Sequence, residues 1–393
     1  MKTEKIGGVI VSQFNHTNYG SCLQAYATLI TVTKVGYDLT FIHYRKTRSV
    51  WEKIKIIPRY LLSGGWENRY NAIKYIWNSY RHPEYRRTQN IRIAKTNDFK
   101  KQVFAPRIKE YIGYDALCEG SKEFNTVFVG SDQVWRPYGF YSNYWNLNFV
   151  ADEVPKFSYA SSYGVSSIPK IQREGTKKYL ERMDLISVRE QQAKEIVESL
   201  SSKKAIIVAD PTMLLTREEW LEFANKSFLK LPEEQYIFCY FLGPRPEIRD
   251  EVKKLSKQTG LKVVIMRHMD EYVPADETIG DYAPYDIDAY DFVKLLANAK
   301  YVCTDSFHGT VFSILLHKNF VTFYRVKPTS STSTHSRIDS LLSILGLSSR
   351  KFDGNIIKIK DEIAYDEVDK IIEKFKKESM SFFVKGLSLS RKK

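Results

Sequence analysis

Residues 301–320 read YVCTDSFHGTVFSILLHKNF and pass from a β-type run to a helical one within a few positions. Tyr301, Val302 and Cys303 are strand formers, Thr304-Asp305-Ser306 is a small polar turn, His308 and Gly309 follow, and an apolar helical period begins at Val311. A strand that gives way to a helix sets backbone N–H groups at the carboxyl edge of a parallel sheet. That edge is where α/β proteins bind ligands, and a helix start attracts anions. His308 is therefore a candidate for proton transfer beside an anion. The same residues also suit a plain junction in which a Ser or Asp caps the helix.

The alternation extends outward in both directions. Toward the amino end, strands are expected at 5–14, 40–44, 124–129, 157–162, 185–188 and 205–208. Helices are expected at 22–32, 174–183 and 191–200, the first with Leu23, Tyr26, Ala27 and Ile30 on one face. After a polar connection at 216–234 a second set begins, with strands at 236–241, 261–266, 301–303 and 320–324 and helices at 247–259, 290–298 and 311–316. Strands alternating with helices imply parallel sheets covered on both faces. The expected fold is α/β, with two doubly wound Rossmann-like domains facing a cleft. Residues 1–216 would form the N-terminal domain on the acceptor side, interrupted by a basic, aromatic helical insertion at about 45–122. Residues 217–365 would form the C-terminal domain on the donor side, and 366–393 a helix packing back toward the first domain.

With 43% hydrophobic residues in 393, the chain can fill two such cores. No run approaches the roughly 18 apolar residues of a membrane span, and the amino end lacks the apolar region of a signal peptide. Cys22, Cys118, Cys239 and Cys303 are far apart and lack metal-type spacing, which suits free thiols in a reducing cytoplasm. The net charge of +14 is concentrated: between Arg45 and Lys109 there are 17 Lys and Arg against four Asp and Glu. A local basic block suggests an anionic partner.

Strand after strand ends in polar or ionisable residues: Asn18-Tyr19-Gly20, Ser131-Asp132-Gln133, Ser161-Ser162, Arg189-Glu190, Asp210, and Ser306 with His308. A polar residue after a strand is usually a turn former or cap. In parallel sheets, however, all carboxyl ends lie along one edge, so these residues should converge on one cleft.

The motifs NYGSCLQAYAT (18–28), GSDQVW (130–135), SVRE (187–190), ADPTMLL (209–215) and TDSFHGTVFSILLHKNF (304–320) together resemble the polysaccharide pyruvyltransferase family. The resemblance runs in order from about 18 to 350 and is weakest at 45–122. It implies the two-domain fold of the B-type glycosyltransferases. It also implies transfer of a pyruvyl group from phosphoenolpyruvate to sugar hydroxyls, usually as a cyclic ketal. Phosphoenolpyruvate is then the donor substrate, with no tightly bound cofactor and no metal. A carboxylate and a phosphate on a three-carbon frame call for fork-shaped cations and oriented N–H donors. Protonation of the CH2 carbon makes C2 electrophilic, a hydroxyl adds, and phosphate leaves.

On that resemblance the catalytic residues are His308, Asp132 and Arg189. The donor site comprises Arg189, Ser306, His308, Gly309, Thr310 and Arg337, and the acceptor side Asn18, Tyr19, Gln133 and Trp135. Many relatives carry an arginine two places before the histidine, where this chain has Ser306. Arg337 and Arg325 are the replacements in reach of the motif. Asp132 could take a hydroxyl proton or cap a turn, Trp135 could stack on a sugar or fill the core, and Asp210 is expected to hold the domain junction or the Arg189 loop. Cys22 and Cys303 are minor candidates for a nucleophile.

In the basic block Trp66, Tyr70, Ile73, Trp77 and Tyr80 recur at helical spacing, with Arg69, Lys74, Arg81, Arg86 and Arg87 on or near their face and an apolar patch at 51–62. Such a surface suits anionic headgroups. It fits a glycan acceptor linked to lipid diphosphate, with the protein cytoplasmic or at the inner face of the membrane. The alternative is an insertion that simply packs on the first domain. Nucleic acid is not expected, since no nucleic-acid module is present. Two competing readings of the chain stand beside this one: a nucleotide-sugar-dependent glycosyltransferase of the same shape, and a non-catalytic basic binding protein.

Overall fold

The computed structural model describes residues 4–12, 14, 17–47, 77, 78, 80–268, 271–325 and 335–390. The first domain starts with β1 (Lys5–Val9), α1 (Tyr19–Lys34) and β2 (Asp38–Arg45), then α2 (Pro83–Val103), β3 (Ile108–Ile112), α3 (Tyr114–Ser121) and β4 (Thr126–Val129). It continues through β5 (Lys156–Ser161), α4 (Lys170–Glu181), β6 (Leu185–Val188), α5 (Gln191–Leu200) and β7 (Ala205–Ile207). Its sheet is parallel, in the order β3-β2-β1-β4-β5-β6-β7. The order reverses between β1 and β4, so loops leaving these two strands part and open a crevice between them.

The connecting helix α6 (Arg217–Ala224) leads into the second domain: β8 (Tyr236–Tyr240), α7 (Pro246–Thr259), β9 (Lys262–Met266), α8 (Ala289–Ala297), β10 (Tyr301–Thr304), α9 (Phe307–Leu315), β11 (Asn319–Thr322) and α10 (Ser336–Ile344). Its parallel sheet runs β11-β10-β8-β9, and here the reversal falls between β8 and β10. Asp305, after β10, spans that reversal by accepting from Leu242 N and Gly243 N at 2.6 and 2.9 Å.

One helix begins earlier than its apolar period. α9 starts at Phe307, because the Ser306 hydroxyl caps it by accepting from Gly309 N. His308 and Gly309, which precede the apolar period, therefore occupy the first helical turn.

The expected 45–122 insertion divides in the structure. Pro83–Ser121 is not an appendage but supplies α2, the edge strand β3 and α3 of the first domain. β3 reads IKEYI, and its charges are those of an edge strand, so its sequence looks like a solvated segment. α2 buries Tyr85, Gln89, Arg92, Thr96 and Phe99, a helical stripe with polar members. These reach the second domain: Gln89 Nε2 donates to His268 O at 3.0 Å and Arg92 Nη1 to Arg267 O at 2.9 Å. The apolar patch at 51–62 and the Trp66, Tyr70 and Ile73 part of the aromatic face lie outside the described residues. Of the rest of that face, Trp77 and Tyr80 are 57% and 85% exposed, and the Arg81 guanidinium lies 4.6 Å from the Trp77 ring centroid. Among the described residues no helix is long and apolar enough to cross a membrane.

Both domains share one buried apolar cluster, which joins Phe41, Phe128 and Tyr159 of the first to Phe238, Phe292 and Phe312 of the second. Tyr19 crosses the boundary: its ring stacks on Phe292 and its hydroxyl donates to Ile287 O. The last helix, α11 (Tyr365–Leu387), starts on the second domain, where the Tyr365 hydroxyl donates to Lys318 O, and ends on the first. There Phe383 stacks on Tyr159 with centroids 4.3 Å apart and touches Phe128 edge-on. Phe383→Ala should cost about 3–5 kcal/mol, the usual range for a buried aromatic, read as a lowered urea midpoint.

Candidate active site

Three strands of the first sheet, β4, β6 and β7, deliver the ionisable groups. The loop after β4 carries Ser131 and Asp132, the end of β6 carries Arg189 and Glu190, and the segment after β7 carries Asp210. Residues 57 and 21 positions from Arg189 thus become its partners. Arg189 Nη2 donates to Asp132 Oδ1 at 3.2 Å and Nη1 to Asp210 Oδ2 at 2.8 Å, with the Arg189 side chain 1% exposed. Asp210 is further held by Ser131 Oγ at 2.9 Å, Thr212 N at 3.0 Å and Thr212 Oγ1 at 2.7 Å. The second oxygen of Asp132 accepts from Ser21 Oγ at 2.9 Å.

The second domain adds the first turn of α9 and Arg337 from α10. His308 Nε2 lies 3.6 Å from Asp210 Oδ2. The Phe307 ring holds two cations, with the Arg189 guanidinium 4.3 Å and that of Arg337 5.8 Å from its centroid. Gly20, in the first turn of α1, packs directly on His308, because a Cβ there would lie 2.1 Å from its Nδ1.

The electrostatics follow from this burial. Burial pushes the Asp132 carboxyl up, but Arg189, then His308 and Arg337, hold it well below the usual carboxylate range. Asp210 is opposed by burial in the same way and held down by His308 and Arg189. Arg337 is pushed down to about 9 by burial and then by the positive charge of Arg189. Among the described residues no carboxylate lies within ion-pair distance of Arg337, so its charge is the one left over. Arg189 Nε, Arg337 Nε and His308 Nε2 are buried donors or acceptors with no hydrogen-bond partner. A small anion entering between the domains would meet all three and relieve the repulsion between the guanidiniums.

Asp132, Arg189, His308 and Arg337 come together. Asn18 caps α1, accepting from Ser21 N at 3.2 Å, and Gln133 is half-buried against Gly164. Ser306 caps α9, while Gly309 packs against Thr304, whose Oγ1 a Cβ would approach to 2.3 Å. Arg325 stands at the rim, its Nε 4.0 Å from Asp305. Three residues face elsewhere. Trp135 lies in the first core beside Tyr163 and Tyr179, its indole N–H donating to Trp145 O, which leaves no free ring face for a sugar. Tyr19 is consumed in the domain boundary. The Thr310 hydroxyl bonds Ser306 O and Thr322 Oγ1 inside the second domain.

Ser21 and Phe307 join the site without having been singled out from the sequence, and Glu190, read there among the polar strand ends, joins it without having been given a role. Glu190 was visible only as the neighbour of Arg189, and nothing local distinguishes Ser21 from a helix-cap residue. Cys22 is buried, and burial raises its thiol pKa, which suits packing and not nucleophilic attack. Among the described residues no group of three or more His, Cys, Asp or Glu could hold a metal ion.

The model of a family described as polysaccharide pyruvyl transferase matches residues 18–326. That span contains Asp132, Arg189 and His308 and stops short of Arg337. No curated protein matches the sequence. Among solved structures, UDP-GlcNAc 2-epimerase from Neisseria meningitidis bound to UDP-GlcNAc is similar with a TM-score of 0.50 at 10% identity, covering 98% of this chain and 100% of that one. A putative UDP-N-acetylglucosamine 2-epimerase from Listeria monocytogenes is similar with a TM-score of 0.50 at 11% identity, covering 98% of this chain and 91% of that one. At such identities the likeness concerns the fold, a pair of Rossmann-like domains across a cleft as in the B-type glycosyltransferases.

Proposed function

Because this chain belongs to the polysaccharide pyruvyl transferase family, we propose that it transfers the pyruvyl group of phosphoenolpyruvate to a hydroxyl pair of a sugar, closing a cyclic ketal. The observation that carries this reading is the set of buried, unpartnered nitrogens of Arg189, Arg337 and His308 between the domains. Two guanidiniums and an imidazole brought together at the domain boundary match a small acid charged at both ends. In this reading Arg337 does the work of the arginine that relatives carry at the position of Ser306. Arg189, already tied to two carboxylates, offers its remaining face to the donor. His308 binds the phosphate and passes it a proton as it leaves.

The acceptor is a glycan carried on lipid diphosphate during capsule or exopolysaccharide assembly. The exposed Trp77 and Tyr80 beside Arg81 support peripheral contact with an anionic membrane surface.

Thermal unfolding with added phosphoenolpyruvate tests the donor assignment. A ligand at 100 times its Kd stabilises by about 2.7 kcal/mol, which raises the melting temperature of the native chain by a few degrees. Arg337→Ala should abolish that rise. UDP-N-acetylglucosamine, the ligand of the Neisseria epimerase structure, should leave the melt unchanged. Stabilisation by the nucleotide sugar and not by phosphoenolpyruvate would favour the glycosyltransferase alternative. His308→Ala should bind the donor weakly and release no phosphate when an acceptor is supplied.

A further inference from the structure

Glu190 is a buried carboxyl that the roles above leave unused. It lies at the N-terminal end of α5, is 2% exposed, and has Arg189, Arg337 and Asp132 as charged neighbours and Tyr163 close by. Its two oxygens have different surroundings. Oε1 accepts the Ser162 hydroxyl proton at 2.7 Å. Ser162 Oγ itself accepts from Gly164 N at 3.1 Å, and its one proton goes to Oε1. Oε2 is buried and has no hydrogen-bond partner. With Oε1 taking the Ser162 proton, Oε2 is the oxygen left to carry the proton of an un-ionised Glu190.

Resting on the pyruvyl-transfer reading, we propose that Glu190 is the general acid of the reaction, delivering the Oε2 proton to the methylene carbon of phosphoenolpyruvate. The Oε2–H bond breaks as a C3–H bond forms, and CH2 becomes CH3. Positive charge develops at C2 and is shared by its enol-ester oxygen. The first sugar hydroxyl forms a C–O bond at C2. The C2–O bond to phosphate then breaks, phosphate leaves with the electron pair, and the second hydroxyl closes the ketal. Of the two hydroxyl protons, one returns Glu190 to its acid form and the other replaces the proton that His308 gives to the departing phosphate. No oxidant or reductant is needed. The ionised Glu190 formed in between is stabilised by the Arg189 and Arg337 guanidiniums.

Burial raises the Glu190 carboxyl above its ordinary range against the pull of Arg189, Arg337 and the Ser162 hydroxyl, which keeps the acid form available at higher pH than a solvated glutamate allows. Asp132 is a poorer candidate, since both of its oxygens are engaged and it is held ionised.

The test is phosphate release from phosphoenolpyruvate in D2O, with methyl glycosides of galactose, glucose and N-acetylmannosamine as acceptors and with the donor-induced melting shift measured in parallel. The native chain should give a ketal whose methyl group carries one deuterium. Glu190→Gln should lose about 10²–10⁴-fold in turnover and keep its phosphoenolpyruvate melting shift. Its rate should also lose the fall with rising pH that the native chain shows as its acid deprotonates. Ser162→Ala, a positioning variant, removes a donor to the ionised carboxylate and should move that fall to higher pH, an effect that a merely structural serine would not have. This second variant decides the matter if Glu190→Gln does not fold. Turnover by Glu190→Gln within about threefold of native, or an unmoved pH profile in Ser162→Ala, overturns the proposal while leaving the transfer reading intact. A native chain that binds phosphoenolpyruvate but releases no phosphate overturns both.

Discussion

Arg189→Ala should be the most damaging single change in the first domain, costing about 3–5 kcal/mol of stability as well as donor binding. Among the described residues Arg189 is the only cation hydrogen-bonded to both Asp132 and Asp210, and removing one partner of a buried ion pair strands the other's charge. The pH dependence tells this apart from simple loss of packing. In the native chain Asp132 has a depressed folded pKa, so its contribution is present above the unfolded value of about 3.9 and is lost as pH falls below it. Without Arg189 the strongest influence holding Asp132 down is lost, and its folded pKa should rise, because burial opposes its charged form. A raised acid penalises folding as pH increases through its folded pKa. The variant should then melt higher at pH 5 than at pH 8, with no such gain in the native chain. Denaturation scans at the two pH values check this, and a variant whose melting temperature falls equally at both would show that Asp132 is not stranded.

Gly20→Ala should inactivate the protein without removing any functional group. In a helix this substitution ordinarily stabilises by about 0.5–1 kcal/mol. Here the new methyl carbon would lie 2.1 Å from Nδ1 and 2.4 Å from Cγ of His308, both at the body of the ring and not at the end of a flexible chain. Either the imidazole swings out of the site or α1 shifts away from α9. We expect a destabilisation of about 1–3 kcal/mol, typical of overpacking, and at least a tenfold loss of phosphate release. The measurement pairs a urea midpoint with single-turnover phosphate release. A more stable, fully active Gly20→Ala would mean that His308 has room to move and that its position is not critical.

Much of the architecture could be read from local pattern. β6 and α5 lie where their periodicity places them, and most other elements begin or end within a few residues of expectation. The polar strand ends were legible as a group, and Arg189, Asp132 and His308 do meet. The misreadings share a cause. α2 was hidden because its buried stripe includes Gln89, Arg92 and Thr96, two of which satisfy carbonyls of the other domain, so the apolar signal of a helix is weak. β3 was hidden by the charges that protect an edge. Trp135 and Thr310 sit within recognisable motifs, yet their polar atoms turn inward.

From the sequence alone came the alternation of strands and helices, the reversal of two sheets into a cleft, and the family. The first two depend on periodicity, which neighbouring residues fix among themselves, and the family on motifs that follow one another in order along the chain. The folded chain alone settled that one guanidinium is shared by carboxylates from two other strands, that a glycine makes room for the histidine, and that one oxygen of Glu190 lacks a partner. Hydrogen bonds and steric contacts between residues tens to hundreds of positions apart have no local signature, because they exist only after both sheets have brought their edges together.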